Sequence, residues 1–437
     1  MKLADRLNCS GCAACAAACA RKAIEMRSDE EGFLRPVVDA SKCVECGLCA
    51  KACAPLAPAE PRNPLKVYAA KANDFGLRLK SSSGGLFSLL ARDVFAQGGI
   101  VFGAAYDETG LHVRHIGVED EAGLARLRGS KYVQSEIGGT LLEARAALKA
   151  GRKVLYTGTP CQIAGLRRFL GREYDNLLAV DVICHAVPTP LSWRLYVEAR
   201  RAEVGGEGPL VRGEHRAKHP SWRLHSHILE FANGRTYVKE ALADTHRVGF
   251  LRDLFCRPSC TVCACRGLRS GSDMTIADYW GVQSQCAELD DDCGVSVALL
   301  STERGVAAWT RIEGLMTVKE SDYEDVKRGN PPIVRSFPAH PNRARFFAEV
   351  GELGFDEAVT RLAEPLVVPQ SELDYMDRFG WRDPNRVNPP RQDPVLSPPR
   401  RQALASGAVV TTPVAAAATV RGGTAPVAEA ATVRLKG

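Results

Sequence analysis

The chain has 437 residues, 45% hydrophobic and 25% charged, enough for a real core and for more than one compact unit. A net charge of +6, with no basic run interleaved with aromatics, argues against nucleic-acid binding. "MKLADRLNCSGC" lacks the apolar stretch of a signal peptide, and no apolar run is long enough for a membrane span, so a cytoplasmic protein is expected.

In a reducing compartment, clustered cysteines bind metal more readily than they form disulfides. Eight of the chain's sixteen cysteines fall in two runs of identical spacing near the start. "CSGCAACAAAC" supplies Cys9, Cys12, Cys15 and Cys19, and "CVECGLCAKAC" supplies Cys43, Cys46, Cys49 and Cys53. Each reads C-x2-C-x2-C-x3-C, the spacing of two-cluster ferredoxins, in which the fourth cysteine serves the other cluster. Cys9, Cys12, Cys15 and Cys53 are therefore expected to hold one 4Fe-4S cluster, and Cys43, Cys46, Cys49 and Cys19 the second. A pair of zinc knuckles is the competing reading, but zinc rarely uses a triple-then-single run.

Prolines crowd "APLAPAEPRNPLK", the mark of an extended linker. In "SSSGGLFSLLARDVFAQGG", Leu86, Leu89, Leu90, Val94 and Phe95 recur at helical spacing, so a helix starts just after Gly85. The Ser-Gly loop before it could seat a phosphate or simply cap the helix. "GIVFGAAY" and "HVRHIGV" read as strands, "GTLLEARAALKAG" as a helix, "KVLYTG" as a buried strand, "QIAGLRRFLG" as a helix and "LLAVDVI" as the next strand. That alternation implies a mostly parallel sheet, with ligands at the carboxyl ends of its strands. Cys161 and Cys184 stand at two such ends. "HILEFANGRTYV" reads as a hairpin turning near Asn233-Gly234, in an otherwise irregular stretch. The residues after Gly380 are Pro-, Ala- and Thr-rich and read as disordered.

"SSSGGLFS", "GSKYVQS", "LYTGTPCQIAGLRRFLG", "VDVICHAVPTP", "HRAKHPSW" and "RPSCTVCACRG…SDMTIADYWG", in that order, resemble the coenzyme F420 hydrogenase/dehydrogenase beta-subunit family in its form with an N-terminal two-cluster ferredoxin domain. The resemblance covers roughly residues 1 to 350. It implies an α+β ferredoxin-like two-cluster domain at 1–56 and a Pro-rich linker at 57–66. The α/β domain with mostly parallel sheet would follow, its N-terminal part at 67–195 and its C-terminal part, with the Cys-rich loop, at 196–379; the disordered tail would span 380–437. The family is known for flavin-containing iron–sulfur oxidoreductases, including subunits that reduce a deazaflavin coenzyme.

Cys161 can be read in three ways. A helix N-terminus suits a nucleophilic thiolate, but no base or oxyanion site stands nearby in sequence except through His185. A buried structural thiol is ordinary. As a ligand, Cys161 would complete a third 4Fe-4S set with Cys184, Cys260 and Cys263, the favoured reading; a zinc site on Cys256, Cys260, Cys263 and Cys265 is its rival. Cys286 and Cys293 are taken as structural. FAD or FMN would convert single electrons into a hydride, its pyrophosphate on Ser82, Ser83, Gly84 and Gly85, with Lys131, Gly158 and Thr159 nearby. His185 and Asp278 are the acid/base candidates. Lys218 and Trp222 either line the pocket or belong to a surface loop. The expected partners are a ferredoxin-like electron donor or acceptor and an organic substrate or deazaflavin coenzyme. A catalytic partner is expected if the chain is a non-catalytic subunit, and a homo-oligomer is also admitted.

Overall fold

Near the N-terminus the chain makes the same move twice. In the computed structural model, which describes residues 3–367 together with Gln370 and Asp374, Ala13 (φ 56°) and Gly47 (φ 74°) are left-handed before the helices Ala14–Ala18 and Leu48–Lys51. Cys19 and Cys53 then leave those helices in matching extended conformations, φ −80° in each. The repeat in cysteine spacing is thus a repeat in backbone shape. Between the two runs, β1 (Ile24–Ser28) and β2 (Leu34–Val38) pair antiparallel. Asp29 turns this hairpin by accepting from the amides of Glu31 at 3.1 Å and Phe33 at 2.9 Å.

The body contains β3 (Lys66–Ala72), β4 (Ile100–Tyr106), β5 (Val113–Val118), β6 (Val154–Gly158) and β7 (Leu177–Val182). It continues with β8 (Leu210–Ala217), β9 (Ser226–Phe231), β10 (Thr236–Glu240), β11 (Met274–Asp278), β12 (Ser296–Leu300) and β13 (Met316–Glu320). Eight of these form one sheet in the order β13-β3-β12-β11-β7-β6-β4-β5. Its centre, β4-β6-β7-β11, is parallel. Both flanks are antiparallel. Strands covered on both faces read as near-continuous apolar runs, and β6 and β7 do. β12 is as buried as they are, yet runs the other way, a direction its composition does not encode.

The stretch expected to be irregular holds a second, three-stranded sheet, β10-β9-β8. Its β9–β10 hairpin turns at Asn233-Gly234, with Gly234 at φ 78°. Against it packs the helix Pro190–Val204, which the helix Thr245–Leu251 meets in turn, around a buried aromatic core of Trp193, Tyr196, His246 and Phe255.

On one face of the large sheet, the helix Leu86–Ala96 buries Leu86, Leu89, Leu90 and Val94, as its spacing predicts. On the other, the helices Thr140–Lys149 and Pro160–Leu170 share a core with Cys12, Ala13 and Ala14 of the first cysteine loop. Gly165 makes this approach feasible, since a Cβ there would stand 2.8 Å from Cys12 Sγ. The body also grips the β1–β2 hairpin. Arg343 forms a bidentate pair with Glu31 at 2.8 and 2.7 Å, and the Thr189 hydroxyl donates to the Glu31 carbonyl. No helix among the described residues is long and apolar enough to cross a membrane. The expected disordered tail at 380–437 lies outside the described residues.

Candidate redox centres

The first cysteine pocket is lined by Cys9, Cys12, Cys15 and Cys53. Burial pushes the Cys15 thiol up to about 12, and Cys12, Cys9 and Cys53 add to the shift by their proximity. Cys12 and Cys53 are raised by burial too, and each feels Cys9. Cys49 is raised by burial first, with Cys19 and Cys46 as its thiol neighbours. The fourth cysteine of each run therefore stands beside the other run, the exchange that the spacing predicts. The dicluster arrangement fits these residues, because thiols crowded in a dry pocket are relieved by binding as thiolates to metal.

A second cavity is lined by Cys161, Cys184, Cys260, Cys263 and Cys265. β6 ends at Gly158, Thr159 precedes the helix, and Pro160 opens it with Cys161 next. Gln162 Oε1 reaches back to accept from Thr159 N at 2.9 Å, one half of a capping box. Cys184 follows β7, the parallel neighbour of β6, so both cysteines sit at carboxyl ends of adjacent strands. Burial raises Cys161 to about 12, Cys263 adding to the shift, and raises Cys260 to about 11. Burial, not the helix N-terminus, is the largest influence on the Cys161 thiol, and it favours the protonated form. Within the close pair Cys263–Cys265, the hydrogen bond from the Cys265 thiol favours the Cys263 thiolate.

Cys256 does not join this set. It is buried in the aromatic core of the smaller sheet, its Sγ donating to the Phe250 carbonyl at 3.7 Å, and it lines a different pocket with His185 and Asp253. Among the described residues no three His, Cys, Asp or Glu side chains are gathered round one point as a single ion requires. Cys286 is buried in an apolar cluster with Tyr279 and Val282.

The third space is a broad cleft of about 560 Å³. Ser82, Ser83, Gly85, Lys131, Gly158, Thr159, His185 and Asp278 all line it. Gly84 does not. It turns into the sheet, where a Cβ would meet Ala70 O at 2.5 Å and Ser296 N at 2.8 Å. Ser82 Oγ accepts from Ser130 N at 2.8 Å, tying the Ser-Gly loop to the segment before Lys131. Lys131 is turned away from the loop. Its ammonium donates to the carbonyls of Arg126, Leu127 and Arg128 at 3.0, 3.0 and 2.8 Å, and burial lowers its pKa to about 7.

His185 Nε2 is 3.1 Å from Asp253 Oδ1, and its ring packs against Phe250 and Phe337. Asp278 is engaged on both oxygens, accepting from Trp222 Nε1 at 2.8 Å and pairing with Arg216 at 3.1 Å. Lys218 and Trp222 are buried and line neither cleft nor surface. Trp222 stacks on Trp280 with ring centroids 5.1 Å apart, and Trp280 itself lines the cleft.

Two residues on or beside these spaces were missed at the sequence level. Gln134 sits in the "GSKYVQS" motif and lines the cleft. His115, on β5, lines it too, with Nε2 3.0 Å from Thr157 O and Nδ1 without a hydrogen-bond partner. Burial holds His115 down to about 4, hence neutral. The motif around Gln134 does not say which of its side chains turn inward, and the strand position of His115 gives no sign of the cavity beyond its face.

The spaces are contiguous. Ser10 and Pro55 line both the Cys9 pocket and the Cys161 cavity. Val182, Ile183, Cys184, His185, Ala186 and Val187 line both that cavity and the cleft.

Residues 151–325 match the family described as the C terminus of the coenzyme F420 hydrogenase/dehydrogenase beta subunit. Residues 8–55 match the 4Fe-4S dicluster domain. Among solved structures, the chain is similar to one from a xenon-derivatised F420-reducing NiFe hydrogenase complex of Methanosarcina barkeri, with 16% identity and a TM-score of 0.41. That match covers 74% of this chain and 96% of the other. No curated protein matches.

Proposed function

We propose that the chain, whose residues 151–325 match the coenzyme F420 hydrogenase/dehydrogenase beta-subunit family and whose residues 8–55 match a 4Fe-4S dicluster domain, is an iron–sulfur flavoprotein oxidoreductase. It takes electrons from a ferredoxin-like carrier and delivers them to coenzyme F420 or another organic substrate. The observation that carries this reading is the shared wall Val182–Val187. One short segment bounds both a cysteine-lined cavity and a cleft large enough for a flavin and a substrate.

Cys9, Cys12, Cys15 and Cys53 would hold one cluster, and Cys19, Cys43, Cys46 and Cys49 a second. Cys161, Cys184, Cys260 and Cys263 would hold a third, with Cys265 donating to Cys263. Clusters there would supply one-electron transfer, and FAD or FMN in the cleft would supply conversion to hydride chemistry. Ser82, Ser83 and Gly85 would seat its phosphates on backbone N–H groups at the head of the helix Leu86–Ala96. His185 is the better acid/base candidate on this geometry. One of its nitrogens is oriented by Asp253 and its ring borders the cleft, whereas both oxygens of Asp278 are already engaged. The walls that Ser10 and Pro55 lend to both the Cys9 pocket and the Cys161 cavity support electron passage between them.

Anaerobic purification followed by iron, sulfide, zinc and flavin analysis tests the assignment. About twelve irons and one flavin per chain are expected. About eight irons with flavin would remove the third cluster and return Cys161 to the nucleophile reading. Zinc in place of iron would sink the scheme.

The family's description as a beta subunit favours a second reading, a non-catalytic electron-transfer subunit of a larger complex. Co-purification with a catalytic chain, without turnover by the isolated protein, would select it.

A further inference from the structure

Arg257 is an unusual residue to find between two cysteine-lined spaces. It is 1% exposed, and its guanidinium is spent on neutral acceptors. Nε donates to Cys9 O at 2.8 Å, one terminal nitrogen to Gln134 Oε1 at 2.7 Å, and the other to Leu34 O at 3.0 Å. That second nitrogen also lies 3.8 Å from Cys9 Sγ. The plane rests over the Phe33 ring at 5.1 Å. Among the described residues no carboxylate pairs with it. A buried cation without a counter-charge is strongly destabilising, so the chain retains it only where negative charge is supplied by something else.

The surroundings indicate what supplies that charge. Arg257 lines the cavity of Cys161, Cys184, Cys260 and Cys263 while touching the Cys9 loop, and it feels Cys9, Cys260 and Cys161 electrostatically. Gly11, at φ +71°, gives it room, since a Cβ there would meet the guanidinium at 2.7 Å. Gln134 holds the other side. Its amide donates to Ser10 O at 2.9 Å while its oxygen accepts from Arg257. The Gln134 side chain therefore couples the cysteine loop, the buried cation and the cleft that it lines.

We propose that Arg257, held by Gln134, is the shared counter-ion of the Cys9/Cys12/Cys15/Cys53 and Cys161/Cys184/Cys260/Cys263 clusters, raising the reduction potential of both. This rests on the cluster assignments above. Reduction adds one electron, and so one negative charge, to a cluster without making or breaking a bond. A fixed cation nearby stabilises the reduced form, and in a low-dielectric site the effect is large. Arg257 thus acts as a fixed charge that both sites share.

The test is a dithionite titration of the full, anaerobically purified protein, followed by EPR, with midpoint potentials read for each cluster. Arg257→Gln is expected to lower two midpoints and leave unchanged that of the cluster on Cys19, Cys43, Cys46 and Cys49. Arg257→Lys, which keeps the charge but loses the fork, should restore most of the shift. If Arg257→Gln does not fold, Gln134→Glu sets a carboxylate against the guanidinium and should lower the same two midpoints. Unchanged midpoints in a folded, iron-replete variant, or an equal shift in all three clusters, would overturn the proposal. Failure of the wild-type chain to bind about twelve irons would instead overturn the cluster assignment itself.

Discussion

Lys218 Nζ lies 2.7 Å from the carbonyl of Ser83, so a lysine at the end of β8 braces the Ser-Gly loop at the head of the helix Leu86–Ala96. The same ammonium donates to Arg78 O at 2.7 Å and Cys293 O at 2.6 Å. Burial, then the nearby Arg78 guanidinium, pulls its pKa down to about 7, while the carbonyl acceptors hold its proton in place. Lys218 therefore shapes the cleft from behind. Lys218→Met leaves those carbonyls unsatisfied, and a loss of ~1–3 kcal/mol is expected. The variant should also retain less flavin after gel filtration. Wild-type flavin retention with a lowered urea midpoint would limit Lys218 to stability.

Gly84 admits no side chain. A Cβ would strike backbone on both sides, Ala70 O on β3 and Ser296 N on β12. Backbone atoms within one sheet cannot yield as a flexible side chain can, so Gly84→Ala should cost at least ~1–3 kcal/mol. Gly85→Ala acts differently, through its φ of +96°. Chemical denaturation of the two variants should give a larger loss at Gly84, although only Gly85 lines the cleft.

The cysteines of the Cys-rich loop divide by environment. Cys184→Ala and Cys260→Ala should each lose about four irons per chain, the content of one cubane. Cys256→Ala should keep full iron content and lose only packing, because its thiol lies in an aromatic core. Equal iron loss in Cys256→Ala and Cys260→Ala would revive the zinc-type arrangement on that loop. Metal analysis decides the matter directly.

The smaller sheet predicts an acid sensitivity. His246 is fully buried, and burial, reinforced by His227, holds it down to about 3 although Asp244 opposes this. The native state keeps it neutral while the unfolded chain protonates it near pH 6.5. Its contribution is thus present above about pH 6.5 and is lost as pH falls toward about 3, at roughly 1.4 kcal/mol per pH unit for each proton taken up. His246→Phe, which suits the Trp193, Tyr196 and Phe255 ring contacts, should weaken that loss. Urea midpoints measured at about pH 7 and about pH 5 check the sign. An equal drop in variant and wild type would assign the effect to other groups, with His215 and His225 the next candidates.

By itself the sequence determined whatever short-range stereochemistry controls. The twice-used spacing C-x2-C-x2-C-x3-C dictated a repeated loop and helix, and the structure repeats even the left-handed residue before each helix. Apolar spacing placed the helices Leu86–Ala96 and Pro160–Leu170, and strand–helix alternation set Cys161 and Cys184 at the ends of neighbouring parallel strands. Only the tertiary structure decided what depends on contacts between distant segments. The antiparallel flanks of the sheet could not be read, because a buried strand has the same composition in either direction. The burial of Cys161, and the exclusion of Cys256 from its neighbours' cavity, depend on what packs around each thiol. Arg257 opens the quoted motif "RPSCTVCACRG", but the motif does not say what its charge faces. Its environment is assembled from Cys9, Leu34 and Gln134, residues that meet only when the N-terminal loop docks on the body, so its charge acquires meaning only in the folded chain.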